Sequence, residues 1–213
     1  MATVRLADYV ASFVADLGVG EVFGVVGAGA MFLNDAFGNT PGLDFIATQH
    51  EQGASMAAEG YARVSGNIGV AHVTTGPGGT NALTGVCGAW VDSIPMMVIS
   101  GQITINNMIG TSGLRQFGVQ ELDTIAIVSS VTKYAVCVME PDQIRYHLEK
   151  AAYYAKSGRS GPVWIDIPLD VQNAQINPDV LSGYTPERST RVPGEDYLGK
   201  RVDEVVSMLG RAR

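Results

Sequence analysis

Short, largely apolar runs alternate along this chain with stretches of helical period, and few folds accommodate that pattern. Residues 22–26, 43–48, 68–74, 96–100, 133–138 and 162–167 read as strands. Continuous apolar character is that of strands buried on both faces. The stretches between them read as helices. Residues 4–17 carry Leu6, Val10, Phe13, Val14 and Leu17 at helical spacing, with Gly18 as a stop. A short helix is expected over 31–37. Residues 50–64 predict a helix whose inner face is Ala54, Ala57, Ala58, Tyr61 and Val64. Gly76-Pro77-Gly78-Gly79 leads into one helix running through Trp90, and 122–128 into another. Residues 141–156 place Ile144, Leu148, Ala151, Ala152 and Ala155 on one side. Strands alternating with helices predict an α/β fold, a parallel sheet with helices on both faces. Residues 101–120 are polar and glycine-containing and read as a loop.

Beyond Pro168 the pattern lapses. Residues 171–197 contain Pro178, Pro186 and Pro193 and no sustained apolar period, which predicts an extended linker. A final helix is expected over 198–209. The predicted organisation is a domain over 1–170, then a linker and terminal helix over 171–213.

Composition narrows the function classes. The 213 residues are 46% apolar and 16% charged, enough to bury a sizeable core. Net charge is −7, with no cluster of Lys and Arg, which disfavours nucleic acid and anionic membranes as partners. Cys87 and Cys137 lie too far apart for a CxxC site. Three scattered histidines argue against zinc. Asp8 and Asp16 interrupt the first apolar stretch, so no signal peptide is expected. No run reaches the roughly 20 apolar residues of a membrane span. A soluble cytoplasmic protein is the expectation.

Three strings invite chemistry, and each has a plain reading beside it. Gly24-Val25-Val26-Gly27-Ala28-Gly29 lacks the third glycine of a dinucleotide fingerprint, since Phe32 stands there. A tight strand-to-helix turn accounts for it. Gly76-Pro77-Gly78-Gly79-Thr80-Asn81 also sits between a strand and a helix. It could expose backbone N–H groups to an anion, or be only a turn. It is no P-loop, because no Gly-Lys-Ser/Thr follows. Glu51, in His50-Glu51-Gln52-Gly53, is by itself a helix N-terminal acid favoured by the macrodipole.

Taken together, the strings resemble the N-terminal pyrimidine-binding (PYR) domain of thiamine diphosphate-dependent enzymes of the acetolactate synthase type. The resemblance runs from Leu6 to Gln172. It rests on Val22-Phe23-Gly24 with Gly27, His50-Glu51-Gln52-Gly53 and Ala58-Glu59-Gly60-Tyr61-Ala62-Arg63. Thr75-Gly76-Pro77-Gly78 with Thr80-Asn81, and Asp92-Ser93-Ile94-Pro95 before Gly101-Gln102, follow in order. Gln120-Glu121, Thr132-Lys133 and Gly161-Pro162-Val163-Trp164-Ile165-Asp166-Ile167-Pro168 complete the set.

The resemblance implies roles as well as a fold. Glu51 falls at the family's activating glutamate, whose acid hydrogen-bonds N1′ of the cofactor's aminopyrimidine. That favours the 4′-imino tautomer, which removes the thiazolium C2 proton. The resulting ylide attacks a 2-keto acid, for decarboxylation or carboligation. For this role Glu51 should be shielded from water. The Gly76-Pro77-Gly78 loop, with Thr75, is implied to lie against the aminopyrimidine, and Asn81 to support the loop. Gly27 and Ala28 are implied on the substrate side. Gln120 matches a glutamine lining the acetolactate synthase site. Arg115 is a candidate to pair with an anionic substrate, a solvated loop charge being the plain alternative.

Departures from the family pattern cluster where a second substrate is selected. Val119-Gln120-Glu121 replaces Phe-Gln-Glu, and Leu114-Arg115-Gln116-Phe117-Gly118 looks inserted. The family holds the diphosphate through Mg²⁺ on a C-terminal domain with a Gly-Asp-Gly motif, and this sequence has none. No metal ligand is therefore expected in this chain, which reads as the first third of a longer enzyme or one subunit of a split one. Alone it is expected to be inactive as a transferase or lyase. The family's active sites form between subunits, which implies a homodimer or homotetramer, or a diphosphate-binding partner subunit. FAD is left open, because flavin contacts fall outside this segment. The competing reading is a non-catalytic or regulatory module that keeps the PYR fold.

Overall fold

A computed structural model describes residues 3–186 and 195–212. The strands are β1 (Val4–Arg5), β2 (Glu21–Gly24), β3 (Asp44–Ala47), β4 (Gly69–Val73), β5 (Met96–Gln102), β6 (Tyr134–Cys137), β7 (Pro162–Pro168) and β8 (Gln175–Ile176). The helices are α1 (Leu6–Asp16), α2 (Met31–Asn39), α3 (Glu51–Ser65), α4 (Pro77–Asn81), α5 (Leu83–Asp92), α6 (Thr124–Val128), α7 (Ile144–Lys156), α8 (Leu169–Gln172) and α9 (Glu195–Arg211). Six strands form one parallel sheet in the order β3-β2-β4-β5-β7-β6. The α/β expectation holds.

The sheet is covered on both faces because its strands alternate two apolar sets. Val70, Met97, Ile99, Val163 and Ile165 join one core with Leu6, Val10 and Val14 of α1, Leu33 and Phe37 of α2, and Ile144 and Leu148 of α7. Ala71, Val73, Val98 and Trp164 join the other with Ala58 of α3, Val86 and Ala89 of α5, and Val128 of α6. Successive side chains of a strand point to opposite faces, so one apolar run supplies both cores. Each fully buried Leu or Ile contributes roughly 1.5–3 kcal/mol. The largest buried side chain, Trp164, keeps its indole N–H satisfied by donating to Ser100 Oγ at 2.7 Å.

The strand order places the site. From β2 the sheet grows one way to β3 and the other way to β4. The carboxyl ends of β2 and β4 therefore flank a topological switch point, where open parallel sheets bind ligands. The segments leaving those ends are Val25–Gly27 in front of α2 and Thr74–Gly76 in front of α4.

Three expectations are corrected. The helix expected to run through Trp90 is two, α4 and α5, joined at Ala82. Gly78 and Gly79 weaken the first, and the Ala82 N–H bonds back to Gly79 in a tightened turn. The inner face of α3 is Ala54, Ser55, Ala58 and Ala62, while Val64 is 91% exposed. Ten residues at 100° each carry Val64 about 80° away from Ala54. Ser55 is admitted because Gly85 of α5 has no side chain: a Cβ there would stand 2.4 Å from Ser55 Oγ. The third correction concerns the linker. Residues 171–184 are packed: α8 lies against β7, α1 and α2, β8 pairs antiparallel with β1, and Val171, Ile176 and Leu181 are buried. The Tyr184 N–H donates to Glu149 Oε2 at 2.6 Å. The short polar runs that hid this segment from a periodicity search gain their partners from the other end of the chain. The part of the predicted linker over 187–194 lies outside the described residues. The predicted terminal helix is α9.

Candidate active site

The turn after β3 presents Glu51 at the start of α3. His50 caps the helix, its ring Nδ1 accepting the Gly53 N–H at 3.2 Å, and the Thr48 hydroxyl donates to the His50 carbonyl at 3.0 Å. Glu51 is half-buried. Its Oε2 accepts from Asn81 Nδ2 at 2.7 Å, a bond between residues 30 apart in sequence. Asn81 was expected to support its own loop; the structure places it directly on the carboxylate.

Between the two runs the Gly76-Pro77-Gly78 turn. Gly76 has φ +63°, and a Cβ on it would stand 1.8 Å from the Gln120 backbone oxygen. At Gly78 a Cβ would lie 2.9 Å from Thr74 Cγ2 and 3.4 Å from Glu51 Oε1. Both glycines are thus required by close packing within the chain, Gly76 against the Gln120 backbone and Gly78 against Thr74, and this packing sets the turn beside the Glu51 carboxylate. Thr75 is held by its hydroxyl, which donates to the Gly101 carbonyl at 3.1 Å.

On the other side of Thr74 opens a cavity of about 360 Å³. Gly27, Ala28, Thr75, Val119 and Gln120 are in its wall, as is Thr74 itself. A Cβ on Gly27 would strike the Thr74 side chain at 2.5 Å, so this threonine borders both compartments. Among the described residues the wall carries no charged side chain. Arg115 is exposed and lies outside it. The predicted residues therefore fall into two adjoining groups. Glu51, Gly76, Pro77, Gly78 and Asn81 surround the carboxylate, and Gly27, Ala28, Thr75 and Gln120 line the cavity.

Residues not singled out in the sequence support the cavity from behind. The Gly27 carbonyl accepts from Asn34 Nδ2 at 3.0 Å. Asn34 Oδ1 lies 2.8 Å from His72 Nε2, and His72 Nδ1 lies 3.0 Å from the Ile99 carbonyl. Serving both acceptors would need both ring protons. Burial with no carboxylate partner instead pushes the imidazole down to about 4, so the ring is neutral near pH 7 and donates to only one. The second buried group is Asp166, which burial raises to about 7. Its carboxyl accepts from Ser100 Oγ at 2.5 Å and Gln102 Nε2 at 3.0 Å. A separate cavity of about 450 Å³, among Trp90, Val91, Lys133, Arg159 and Ser160, sits at the amino ends of β6 and β7, away from the switch point. Among the described residues no group of three or more His, Cys, Asp or Glu could hold a metal ion.

Comparison with known proteins bears on this geometry. Residues 4–127 match the family model "Thiamine pyrophosphate enzyme, N-terminal TPP binding domain". The chain belongs to this family. The matched stretch of the thiamine pyrophosphate enzyme domain ends inside α6 and includes both groups of site residues. The acetolactate synthase large subunit of Lactococcus lactis is 42% identical over 161 residues, covering 76% of this chain and 27% of the relative. The isozyme 3 large subunit of Escherichia coli is 40% identical over 167 residues, 78% of this chain and 28% of the relative. Chloroplastic acetolactate synthase 1 of Zea mays is 34% identical over 212 residues, 97% of this chain and 32% of the relative. The chain thus spans about a third or less of the length of these relatives. No helix among the described residues is long and apolar enough to cross a membrane.

Proposed function

We propose that this chain is the pyrimidine-binding portion of a thiamine diphosphate-dependent 2-keto acid decarboxylase or carboligase, with Glu51 as the group that activates the cofactor. One observation carries the reading: Glu51, oriented by Asn81, lies against the close-packed Gly76-Pro77-Gly78 turn at the switch point of the sheet. The residues fit the aminopyrimidine half of the cofactor, because a carboxyl group and a bare backbone are what a flat ring with basic nitrogens needs at its edge. When bound, thiamine diphosphate supplies an acidic thiazolium carbon that adds to a keto-acid carbonyl and takes up the electron pair released on decarboxylation.

The chain's own residues do the rest. Glu51 would hold and exchange a proton with an aminopyrimidine nitrogen set against its free oxygen, while the Asn81 amide fixes the other carboxyl oxygen. Gly76 and Gly78 let the turn pack against Gln120 and Thr74 and so hold it beside the carboxyl. Thr74 and Thr75 separate the ring from the neutral cavity, where Gly27, Ala28 and Gln120 meet the substrate. Because the cavity wall carries no cation, the substrate carboxylate and the diphosphate with its Mg²⁺ take their counter-charges from outside this chain, on a further domain or a partner subunit. The domain acts within a homodimer or homotetramer. Met56 and Val64 on α3 and Trp90 and Val91 on α5 are exposed on two helices packed together, which supports such self-association. Arg115, exposed and outside the cavity wall, is read as a solvated loop charge, and FAD, where used, binds elsewhere.

The test is Glu51→Gln in the chain assembled with its diphosphate-binding half. Pyruvate turnover should fall by about 10²–10⁴-fold, with the variant still folded by circular dichroism. Unchanged turnover would favour a non-catalytic module. The isolated chain should bind thiamine diphosphate weakly and show no turnover; tight Mg²⁺-dependent binding by calorimetry would contradict the division of labour.

A further inference from the structure

The segment between β5 and α6 forms one wall of the cavity, and a single buried side chain gathers it. Glu121 is 5% exposed. One oxygen of its carboxylate accepts the Ile109 N–H in a short contact; the other accepts the N–H groups of Phe117 at 3.3 Å and Gly118 at 3.2 Å. These donors come from the two ends of one loop, so the carboxylate closes it as a clamp. A buried carboxylate is tolerated only where such donors replace water, and charge-assisted bonds of this kind are the stronger ones.

The neighbours on either side make the clamp consequential. Gln120 has φ +58°, a backbone conformation that non-glycine residues rarely adopt and that surrounding structure must hold. Its carbonyl oxygen occupies the space that Gly76 leaves by lacking a side chain. Leu122 is anchored in turn, its carbonyl accepting from Gln102 Nε2 at 3.1 Å. Gly118, Val119 and Gln120 all line the cavity.

We infer that Glu121 is a positioning residue: by clamping the 109–118 loop it seats Gln120 against the Gly76 turn and so sets the substrate-side wall beside the Glu51 compartment. That functional meaning rests on the reading of the cavity given above, whereas the clamp itself does not.

The experiment compares wild type, Glu121→Gln and Glu121→Ala by amide hydrogen exchange of the 213-residue chain. Gln is isosteric but offers one acceptor oxygen in place of two, so the three donors can no longer all be met. Exchange of the Ile109, Phe117 and Gly118 amides should rise at least about tenfold. Peptides over 74–80 should follow, while those of α1 and α7 stay unchanged. Loop exchange unaltered in both variants would overturn the clamp. A loop that loosens while 74–80 does not would overturn the coupling to the turn. Loosening of α1 and α7 in both variants would make Glu121 a residue of the global fold and overturn the proposal. In the assembled enzyme, Glu121→Gln should raise the KM for pyruvate about tenfold with kcat within about threefold, unlike Glu51→Gln, which lowers kcat. A kcat loss at constant KM would overturn the substrate-wall role. Wild-type enzyme inert toward pyruvate would count against the proposed function, and exchange would still decide the clamp.

Discussion

A methyl group added at Gly76 would meet the backbone oxygen of Gln120 at 1.8 Å, in a backbone conformation that already disfavours a side chain. Added at Gly78, it would meet the end of the Thr74 side chain at 2.9 Å. Backbone cannot step aside, whereas a threonine can turn. Gly76→Ala should therefore destabilise the domain by about 2–3 kcal/mol, and Gly78→Ala by about 1 kcal/mol or less. Urea unfolding separates the two, and equal losses would contradict the distinction. At this scale the sequence was legible where the requirement is local. A Gly-Pro-Gly turn and a Glu in His-Glu-Gln-Gly announce themselves. Thr74, Asn34, His72 and Glu121 do not, because their meaning depends on partners brought from other strands and loops.

Leu148 and Val64 show how far helical periodicity can be trusted for whole elements. Both are apolar and both were assigned to inner faces. In α7 the periodic face is the buried one, since Ile144, Leu148, Ala151 and Ala155 are all inside. In α3 small residues recur so densely that several faces look alike, and Val64 falls beside the buried face rather than on it. Leu148→Ala should cost about 2–5 kcal/mol, and Val64→Ala should change stability by no more than about 0.5 kcal/mol. Chemical denaturation of the two variants checks this directly. Strand positions and their parallel arrangement were readable because buried strands are continuous apolar runs. The two-residue strands β1 and β8 were not, since each is too short to carry a period and exists only through the other.

For the molecule as a whole, two buried groups pull the pH dependence in opposite directions. The unfolded chain protonates His72 near 6.5, while the folded chain holds it neutral down to about 4, so stability is lost as pH falls through that window. Asp166 ordinarily titrates near 3.8, but the folded chain retains its proton up to about 7. Its contribution is lost as pH rises through that window. Between about pH 4 and 6.5 the two linkages offset each other. Relative to wild type, Asp166→Asn should therefore gain stability with rising pH across this range, and His72→Gln should lose it. The slopes should differ from wild type by up to about 1.4 kcal/mol per pH unit in each case. Unfolding free energies at three pH values measure both, and three parallel curves would argue against the assignment.

The clasp between β1 and β8 has a consequence beyond stability. Val4 stands opposite Ile176, and the Leu6 N–H is bonded to the Ala174 carbonyl at 2.9 Å. Entry to the packed body and exit from its sheet thus lie side by side. A unit with neighbouring ends can be carried from one longer polypeptide to another without rerouting the host chain. Its six parallel strands, its two cores and the site at their carboxyl ends would travel together as a cassette.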